Sequence, residues 1–257
     1  MSKIGSNASL KKYIVSRLSE DKWSPEMISG RMKLEKQSIC ISHEAIYQYI
    51  YSYPGQKLKL YEHLMYARPK RQQKYTRRHR YKVADEFLLK NRPETINDRS
   101  EFGHYEGDLT FFKGNSSGNI SVLVERKSKK AFLIRNDNKT TDLVIPNIIS
   151  KIKSTGSTVK SITFDNGSEF SRFKDLEKAT NSQVYFADPR SPWQRGLNEN
   201  TNGLLRRYFP KGCNFHTIDD SVIANVVEKL NSRPRKCLNF RTPYEVLFKT
   251  KTVALAT

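Results

Sequence analysis

The sequence is poor in the features that mark membrane-spanning or disulfide-stabilised proteins. It has three cysteines, Cys40, Cys213 and Cys237, which form no C-x-x-C pair and no zinc-type spacing. Cys40 and His43, with His63, could begin a metal site, but a credible fourth ligand is missing. No apolar run approaches the roughly 20 residues that span a bilayer, and no apolar stretch follows the first basic residues as in a secretory signal. We therefore expect buried thiols in a reducing compartment and a cytoplasmic protein.

Acidic residues are scarce relative to basic ones. The chain has 46 Lys+Arg against 26 Asp+Glu, a formal net charge of +20, and a pI near 9.8. Residues 1–92 hold 20 basic and 8 acidic residues, whereas residues 93–257 hold 26 and 18. This excess indicates a polyanionic partner, most simply nucleic acid. With 37% hydrophobic residues in 257, the chain can bury a core and form more than one unit.

Residues 7–53 have a helical pattern of apolar positions. Ser24 and Ser42 are suitable N-caps, and Pro25 suits the first position of a helix. Two short capped helices with a basic connection nearby resemble a helix-turn-helix. In that arrangement the second helix would present to a major groove His43, Glu44, Tyr47 and Gln48. The linker 35–41 is longer than the usual tight turn, so a purely structural helical hairpin remains the alternative.

Residues 66–82, YARPKRQQKYTRRHRYK, form a strongly basic segment without an acid. Such a run is usually solvated and has little secondary structure in the free protein. The tyrosines at 66, 75 and 81 add stacking surfaces, so the segment would also suit a linker that follows DNA phosphates. The basic residues that would make these contacts are Arg68, Lys70, Arg71, Lys74, Arg77, Arg78, Arg80 and Lys82.

From about residue 97 the pattern changes to alternating strands and helices. The strand-like runs are 105–112, 120–125, 130–135, 159–164 and 184–186. The helical patterns are 142–153, 171–179, 197–208 and 219–230. Three strands followed by helix, strand, helix, short strand and helix is the order of the ribonuclease H-like fold. We therefore expect an α/β core with a mixed five-stranded sheet, preceded by a small all-α region.

Asp108 departs from the usual solvated position of an acid because it lies within an apolar strand pattern, between Tyr105 and Phe111. A buried carboxylate without compensation is costly, so a cation or a metal should lie beside it. Glu106 projects from the same face of the strand and is the rival candidate.

Asp165 follows the apolar run 162–164 and precedes Asn166 and Gly167, which turn the chain sharply. An Asx-type turn is the purely structural alternative for this position. Glu199 lies on a predicted helix with Arg195 four residues before it and Arg206 seven after it, on or near one face. An acid beside fork-shaped cations suits a site that binds a divalent metal and grips phosphate. Three acids from separate elements are what two-metal phosphoryl transfer requires.

Four segments carry a family resemblance: GHYEGD, FDNGSEF, SPWQRGLNENTNGLLRRYFPKG and LNSRPRKCLNFRTPYEVLF. In this order they resemble the DDE transposases of the insertion-sequence-thirty family, and the 33 residues between Asp165 and Glu199 match as well. The resemblance extends from Trp23 to Phe248. It implies a retroviral-integrase-like catalytic core of the ribonuclease H-like class, behind a helix-turn-helix-like region that binds DNA.

The resemblance implies metal-dependent DNA strand cleavage and strand transfer at the ends of an insertion sequence. It also implies a location in the bacterial cytoplasm, in association with the nucleoid. Asp108, Asp165 and Glu199 would be the catalytic residues and would hold two Mg²⁺ ions, which Mn²⁺ can replace, about 3.5–4 Å apart. The partners would be terminal inverted repeats and target DNA, with a homo-oligomer that synapses two ends. The DNA-binding residues would be His43, Tyr47, Gln48, Arg68, Arg71, Arg77, Arg78, Arg80, Trp193, Gln194, Arg195, Asn202, Arg206, Arg233 and Arg235. Core packing is the alternative for the tryptophan in this set.

The expected organisation is a helix-turn-helix-like region at 1–56, a basic linker at 57–96, and a catalytic core at 97–257. The core would include a C-terminal basic helical segment that packs on it and adds phosphate contacts. Family members usually carry an additional N-terminal DNA-binding unit, so we expect a shortened element or a partial reading frame. Tyr105 replaces a usual Trp, and Arg190 replaces a common Tyr.

Two other functions are compatible with parts of the sequence. A DNA-binding protein could occupy the element ends without catalysis and repress its own element, but it would not need three acids. A ribonuclease H-type nuclease would share the acids, but it would not need the N-terminal helical region or the RPRK tail.

Overall fold

The computed structural model describes residues 3–67, 92–112, 118–188, 196–210, 213–215 and 218–248. The chain forms two compact units: the first comprises residues 1–75 and 231–257, and the second comprises residues 76–230. This division differs from the expected boundaries, because residues 231–257 group with the N-terminal helices instead of the catalytic core. Within the described ranges, no helix is both long enough and apolar enough to cross a bilayer.

The described part of the first unit is helical. Its N-terminal elements are α1 (Lys3–Ser6), α2 (Ala8–Ser19), α3 (Pro25–Leu34), α4 (His43–Tyr51), α5 (Tyr53–Lys57) and a 3₁₀ turn at Leu60–His63. The predicted caps are confirmed. The Ser24 side chain accepts a hydrogen bond from the Met27 N–H at 3.4 Å, with Pro25 in the first turn. The Ser42 side chain accepts one from the Ala45 N–H at 3.2 Å.

Helices α3 and α4 pack against each other around the apolar core of this unit. Fully buried members of that core are Ile14, Leu18, Ile28, Ile46 and Ile50. The connection between the helices is fixed to the core, because the Ser29 hydroxyl donates to the Ile41 carbonyl oxygen at 2.6 Å. Ile41 is itself buried. The longer linker therefore forms a fixed link between two packed helices.

The C-terminal segment joins this unit through a close contact and a buried charge. It contains a 3₁₀ turn at Lys236–Leu238 and helix α10 at Pro243–Leu247. A Cβ at Gly30 of α3 would lie 2.3 Å from the Phe240 ring, so only glycine permits this approach. Arg31 of α3 is fully buried and pairs with Glu35 at 2.6 Å and with Glu245 at 2.8 Å. The buried arginine needs the Glu245 carboxylate, which explains the grouping of residues 231–257 with the N-terminal helices.

The second unit contains a mixed five-stranded sheet. Its strands are β1 (His104–Phe111), β2 (Asn119–Glu125), β3 (Ala131–Asn136), β4 (Ser161–Phe164) and β5 (Gln183–Phe186). The spatial order is β3-β2-β1-β4-β5, with β1, β2 and β3 antiparallel and β1, β4 and β5 parallel. The helices are α6 (Thr141–Thr155), α7 (Phe173–Thr180), α8 (Gly196–Leu205) and α9 (Asp220–Asn231). This is the ribonuclease H-like fold that the sequence predicts.

Helices cover both faces of the sheet. One apolar cluster joins Tyr105 and Leu109 of β1 to α6 and α7, and the other joins β2 and β3 to α8 and α9. Since successive strand residues point to opposite faces, Asp108 and Thr110 of β1 lie on the side of α8. The alternation of β1 therefore directs its polar residues away from the α6 layer and toward the helix that carries Glu199.

The three cysteines are free thiols. Cys40 and Cys237 are exposed and Cys213 is half-buried, so the expectation of buried thiols was wrong for the first two. Cys40 lies in the link between α3 and α4, and its thiol donates to the Gln37 carbonyl oxygen at 3.5 Å. A small apolar side chain in a connection does not have to enter the core when larger neighbours such as Ile41 already do.

Candidate active site

Asp108 and Asp165 come from neighbouring parallel strands. The pairing of β1 with β4 places Glu106 opposite Thr163. Continuing this register by two residues sets Asp108 beside Asp165, on strands that are about 4.8 Å apart. Asp165 directly follows the last residue of β4, and both aspartates are half-buried. The register thus sets the two carboxylates on adjacent central strands, both within reach of solvent.

The Asp-Asn-Gly turn fixes the second of these carboxylates. The Gly167 N–H donates to Asp165 Oδ1 at 3.2 Å, and the Asn166 amide donates to the Ala187 carbonyl oxygen at 3.1 Å. The Asx-type turn that the sequence offered as a structural alternative is therefore present. It does not compete with a role for Asp165, because it holds that carboxylate next to β1 and ties the turn to the end of β5.

Asn202 joins helix α8 to strand β1. Its amide nitrogen donates to Asp108 Oδ2 at 2.6 Å, and its amide oxygen accepts from the Thr110 hydroxyl at 2.9 Å. The family resemblance implied a DNA contact for Asn202, but both the amide nitrogen and the amide oxygen of its side chain hydrogen-bond to β1. Its spacing of three residues from Glu199 was the signal that could have indicated this role, since such residues share a helix face.

Glu199 is exposed on α8, one turn before Asn202. Residues three apart on a helix have Cβ atoms about 5–6 Å apart, so Glu199 lies one turn from the amide that holds Asp108. Among the described residues, no group of three or more His, Cys, Asp or Glu side chains is arranged to hold a metal ion. The carboxylates of Asp108, Asp165 and Glu199 thus do not form a closed ligand cage in this structure.

The donor set nevertheless fits a divalent metal. The candidate ligands are all carboxylates, the hard oxygen donors that suit Mg²⁺ or Mn²⁺ better than zinc. Negative charge is also crowded here. Burial is the largest influence on the pKa of Glu169 and raises it. The charges of Asp165 and Asp108 also raise this pKa, whereas a hydrogen bond from the Glu169 backbone N–H and the charge of Lys139 act in the opposite direction. A bound cation would relieve this crowding.

Glu106, the rival to Asp108, has a different partner. It is 1% exposed and accepts a hydrogen bond from Arg126 Nη1 at 2.7 Å. Burial lowers the pKa of Arg126, and Glu106 acts against that change. Burial, followed by the charge of Arg126, lowers the pKa of the nearby Arg92 to about 10. The charge of Glu106 is therefore compensated by Arg126, whereas Asp108 is half-buried and within reach of solvent.

Residues expected at DNA occupy different environments. On α4, His43 and Gln48 are exposed and Tyr47 is half-buried. Arg206 is half-buried over the Phe112 ring, with its guanidinium carbon 5.6 Å from the ring centroid. Burial lowers the pKa of Arg206.

Arg233 and Arg235 are buried, at 2% and 5% exposure. Arg233 Nη1 donates to the carbonyl oxygens of Asp21 and Lys22 at 3.2 and 2.5 Å. The expected phosphate contacts of these two arginines are therefore not supported. A guanidinium has five donors and can satisfy several carbonyl groups at once, so a basic motif can be structural.

Several expected DNA contacts lie outside the described residues. These are Arg68, Arg71, Arg77, Arg78, Arg80, Trp193, Gln194 and Arg195.

Replacing Asn202 by alanine is expected to lower the rate of DNA cleavage about 10- to 100-fold, with DNA affinity within about twofold of wild type. The rate falls because Asp108 loses the group that orients it, an effect of the size seen for groups that orient metal ligands. Cleavage rates and DNA binding measured in parallel check this. Asn200→Ala, at an exposed position on the same helix, is the matched control. A loss of DNA affinity without a loss of cleavage rate would show that Asn202 contacts DNA and does not orient Asp108.

The sheet order and the aspartates on adjacent parallel strands define an integrase-type core, and residues 98–192 match the family described as integrase core domain. The chain is 39% identical over 242 residues to the transposase for insertion sequence element IS1086 of Cupriavidus metallidurans, with 91% of this chain and 71% of that protein covered. It is 36% identical over 252 residues to transposase InsI for insertion sequence element IS30A of Escherichia coli, with coverage of 94% and 65%. The chain belongs to the insertion-sequence-thirty family of transposases.

Two solved structures are also similar to this chain. The HTLV-2 integrase catalytic core domain in complex with magnesium has 18% sequence identity and a TM-score of 0.43, covering 56% of this chain and 94% of that one. The catalytic core domain of BIV integrase has 22% identity and a TM-score of 0.44, covering 57% and 94%.

Proposed function

We propose that this protein is a transposase that cleaves DNA at the ends of an insertion sequence and joins the freed ends to target DNA. The observation that carries the proposal is the hydrogen bond from Asn202 to Asp108. It attaches the helix of Glu199 to the strand of Asp108, and β4, which Asp165 directly follows, pairs in parallel with that strand. These connections support a shared role for the three acids.

Asp108, Asp165 and Glu199 would hold the divalent metal ions on which cores of this type depend, with Mg²⁺ expected and Mn²⁺ as a substitute. When bound, two such ions would activate the attacking oxygen and stabilise the leaving oxygen of the phosphodiester. Asn202 would orient Asp108 through its amide, and the Asp-Asn-Gly turn would orient Asp165. Glu199, being exposed, would complete the set from the solvent side.

Helix α4 would read DNA sequence in the first unit. Its exposed His43, Glu44 and Gln48 face solvent, while Ile46 and Ile50 anchor the opposite side in the core. The firm link through Ser29 would hold α3 and α4 in a fixed relation, as a helix-turn-helix needs. Terminal inverted repeats and target DNA would be the partners, and two copies or more would synapse two ends.

The direct test is a cleavage assay on the DNA that flanks the coding frame. The purified chain with Mg²⁺ should nick DNA at imperfect inverted repeats of the element and then join the 3′ ends to a target duplex. The same DNA with the repeats scrambled is the control. Binding to the repeats without cleavage in Mg²⁺ or Mn²⁺ would identify a repressor, and cleavage of RNA–DNA hybrids alone would identify a ribonuclease H-type nuclease. The transposase names of the relatives favour neither alternative.

Replacing Arg77, Arg78 and Arg80 together by alanine is expected to weaken binding to all DNA sequences alike. Each lost phosphate contact should reduce the slope of log affinity against log salt by up to about 0.9. Salt titrations of binding check this, with a triple alanine variant of the exposed Lys153, Lys174 and Lys178 as a charge-matched control. An unchanged slope would show that the basic segment is a solvated tether.

A further inference from the structure

Gly167 leaves space for a neighbouring carboxylate. A Cβ added at this position would lie 2.5 Å from Glu169 Cδ and 2.6 Å from both carboxylate oxygens of that residue. The backbone of Gly167 has φ −71° and ψ 139°, a conformation that any residue can adopt. The methyl group of an alanine would therefore displace the Glu169 carboxylate, which is the flexible end of a side chain, whereas glycine leaves room for the carboxylate in this position.

The same glycine also contacts a residue of the candidate active site. The same Gly167 donates its N–H to Asp165 Oδ1 at 3.2 Å, so the carboxylates of Asp165 and Glu169 lie around one glycine. The short 3₁₀ turn that carries Glu169, Ser168–Phe170, is anchored to the core. Phe170 is 1% exposed and stacks on Phe164 of β4, with ring centroids 4.1 Å apart. The position of Glu169 next to Asp165 is thus built into the fold.

Glu169 is a further acid beside the strand aspartates, in addition to the three acids of the proposed metal-binding set. Asp165 and Asp108 both act electrostatically on Glu169, whose carboxyl is half-buried. Glu199 is exposed on α8. No three of the described acids are arranged as a set of metal ligands, so Glu169 is not positioned with two other acids to bind a metal ion directly. A carboxylate that lies beside a metal site without binding the metal can accept hydrogen bonds from the water molecules that Mg²⁺ retains in proteins.

We propose that Glu169 is a positioning residue of the metal centre, whose carboxylate, seated against Gly167, holds the hydration shell of the divalent ion bound by Asp108 and Asp165. The proposal rests on the proposed function, because it assumes that these two aspartates bind the ion. The proposal adds to the metal centre a fourth acid, which the DDE motif does not contain. Gly167 would leave room for the carboxylate of that acid.

Two substitutions test the charge of the Glu169 carboxylate and its position separately. Glu169→Gln removes the negative charge and keeps the side-chain length. Gly167→Ala keeps the charge but puts a methyl group where the carboxylate lies, and its backbone angles allow alanine. In the full chain, calorimetric titration with Mn²⁺ is expected to show an affinity about 10-fold lower for each variant. Glu94→Gln, which removes an exposed acid of the same unit, is the charge-matched control and should bind Mn²⁺ as wild type does.

Thermal unfolding provides a second readout that does not depend on activity. Without metal, Glu169→Gln is expected to melt at or above the wild-type temperature, since it relieves repulsion from Asp165 and Asp108. With saturating Mn²⁺ its gain in melting temperature should be smaller than that of wild type. A merely structural role would predict the opposite in the metal-free state, a lower melting temperature.

Asp165→Asn separates the failure of this inference from failure of the proposed function. If Asp165→Asn loses Mn²⁺ binding while Glu169→Gln and Gly167→Ala bind as wild type does, the role of Glu169 is overturned and the metal centre stands. If Asp165→Asn also binds Mn²⁺ as wild type does, the proposed metal centre itself fails. Weakened binding in both Glu169→Gln and Gly167→Ala, with an unchanged Glu94→Gln, supports the inference.

Discussion

Asp165→Asn is expected to lower DNA strand cleavage and joining at least about 1,000-fold while DNA affinity stays at the wild-type level or rises slightly. The substitution removes one negative charge from the metal centre, and the charge stabilisation that metal ions provide is worth several kcal/mol. Since 1.36 kcal/mol corresponds to a factor of ten in rate, a loss of about 4 kcal/mol gives this factor. The basic surfaces that would hold DNA are unaffected by the substitution.

Cleavage of labelled terminal DNA in Mg²⁺, and joining of DNA that already carries a free 3′-OH, would measure the two steps separately. Both should fail, because one centre would serve both. Asp175→Asn is the matched control, since Asp175 lies on α7 in an exposed pair with Arg172 and loses the same charge. Cleavage by Asp165→Asn at the wild-type rate would remove Asp165 from the catalytic set.

Arg31→Ala is expected to destabilise the first unit by about 3–5 kcal/mol, the cost of leaving one partner of a buried ion pair without the other. The Arg31 side chain is fully buried, and it donates to both carboxylate oxygens of Glu245 at 2.8 and 2.9 Å. It also donates to Glu35 and to the Phe240 carbonyl oxygen. Urea unfolding, followed by the fluorescence of the buried Trp23, would measure the change in the free energy of unfolding.

Lys33→Ala is the control for Arg31→Ala, because Lys33 is an exposed basic residue on the same helix and should change stability by less than about 0.5 kcal/mol. The triple variant Arg31→Met with Glu35→Gln and Glu245→Gln should recover part of the loss, because no charge of this cluster is then buried without its partner. Equal stability of Arg31→Ala and Lys33→Ala would show that the pair does not hold the C-terminal segment to α3.

The effect of Arg31→Ala should depend on pH. Burial is the largest influence on the Glu245 carboxyl and raises its pKa. Hydrogen bonds from Arg31 and Thr242 act against burial, and the pKa is lowered overall from its ordinary value near 4.5. A carboxyl with a lowered pKa contributes stability above its unfolded pKa and loses it as the pH falls through the folded value. The difference between wild type and Arg31→Ala should therefore be full at neutral pH and shrink as the pH falls below the ordinary carboxyl pKa of 4.5 and through the lowered pKa of Glu245.

Local signals predicted the elements well. Ser24 and Ser42 cap their helices as expected because a cap is a contact between near neighbours in the chain. The apolar runs gave the five strands within a few residues, and their order with the helices indicated the ribonuclease H-like fold. The roles of Asn202, Arg233 and the C-terminal segment were missed for a common reason. Each depends on a partner far away in the sequence, and composition does not identify such partners.

The sequence by itself determined the class of the core, the family, and the acids that the family motif contains, because these follow from periodicity, spacing and motif order. Only the tertiary structure decided which polar groups meet. It turned Asn202 toward Asp108, buried Arg31 against Glu245, and seated the Glu169 carboxylate over Gly167. The sequence does not show whether a glycine forms a turn or makes room for a neighbour, or whether an arginine binds a phosphate or a buried carboxylate. The neighbour is fixed when the chain folds, since burial makes an unpaired polar group costly and so selects the partner.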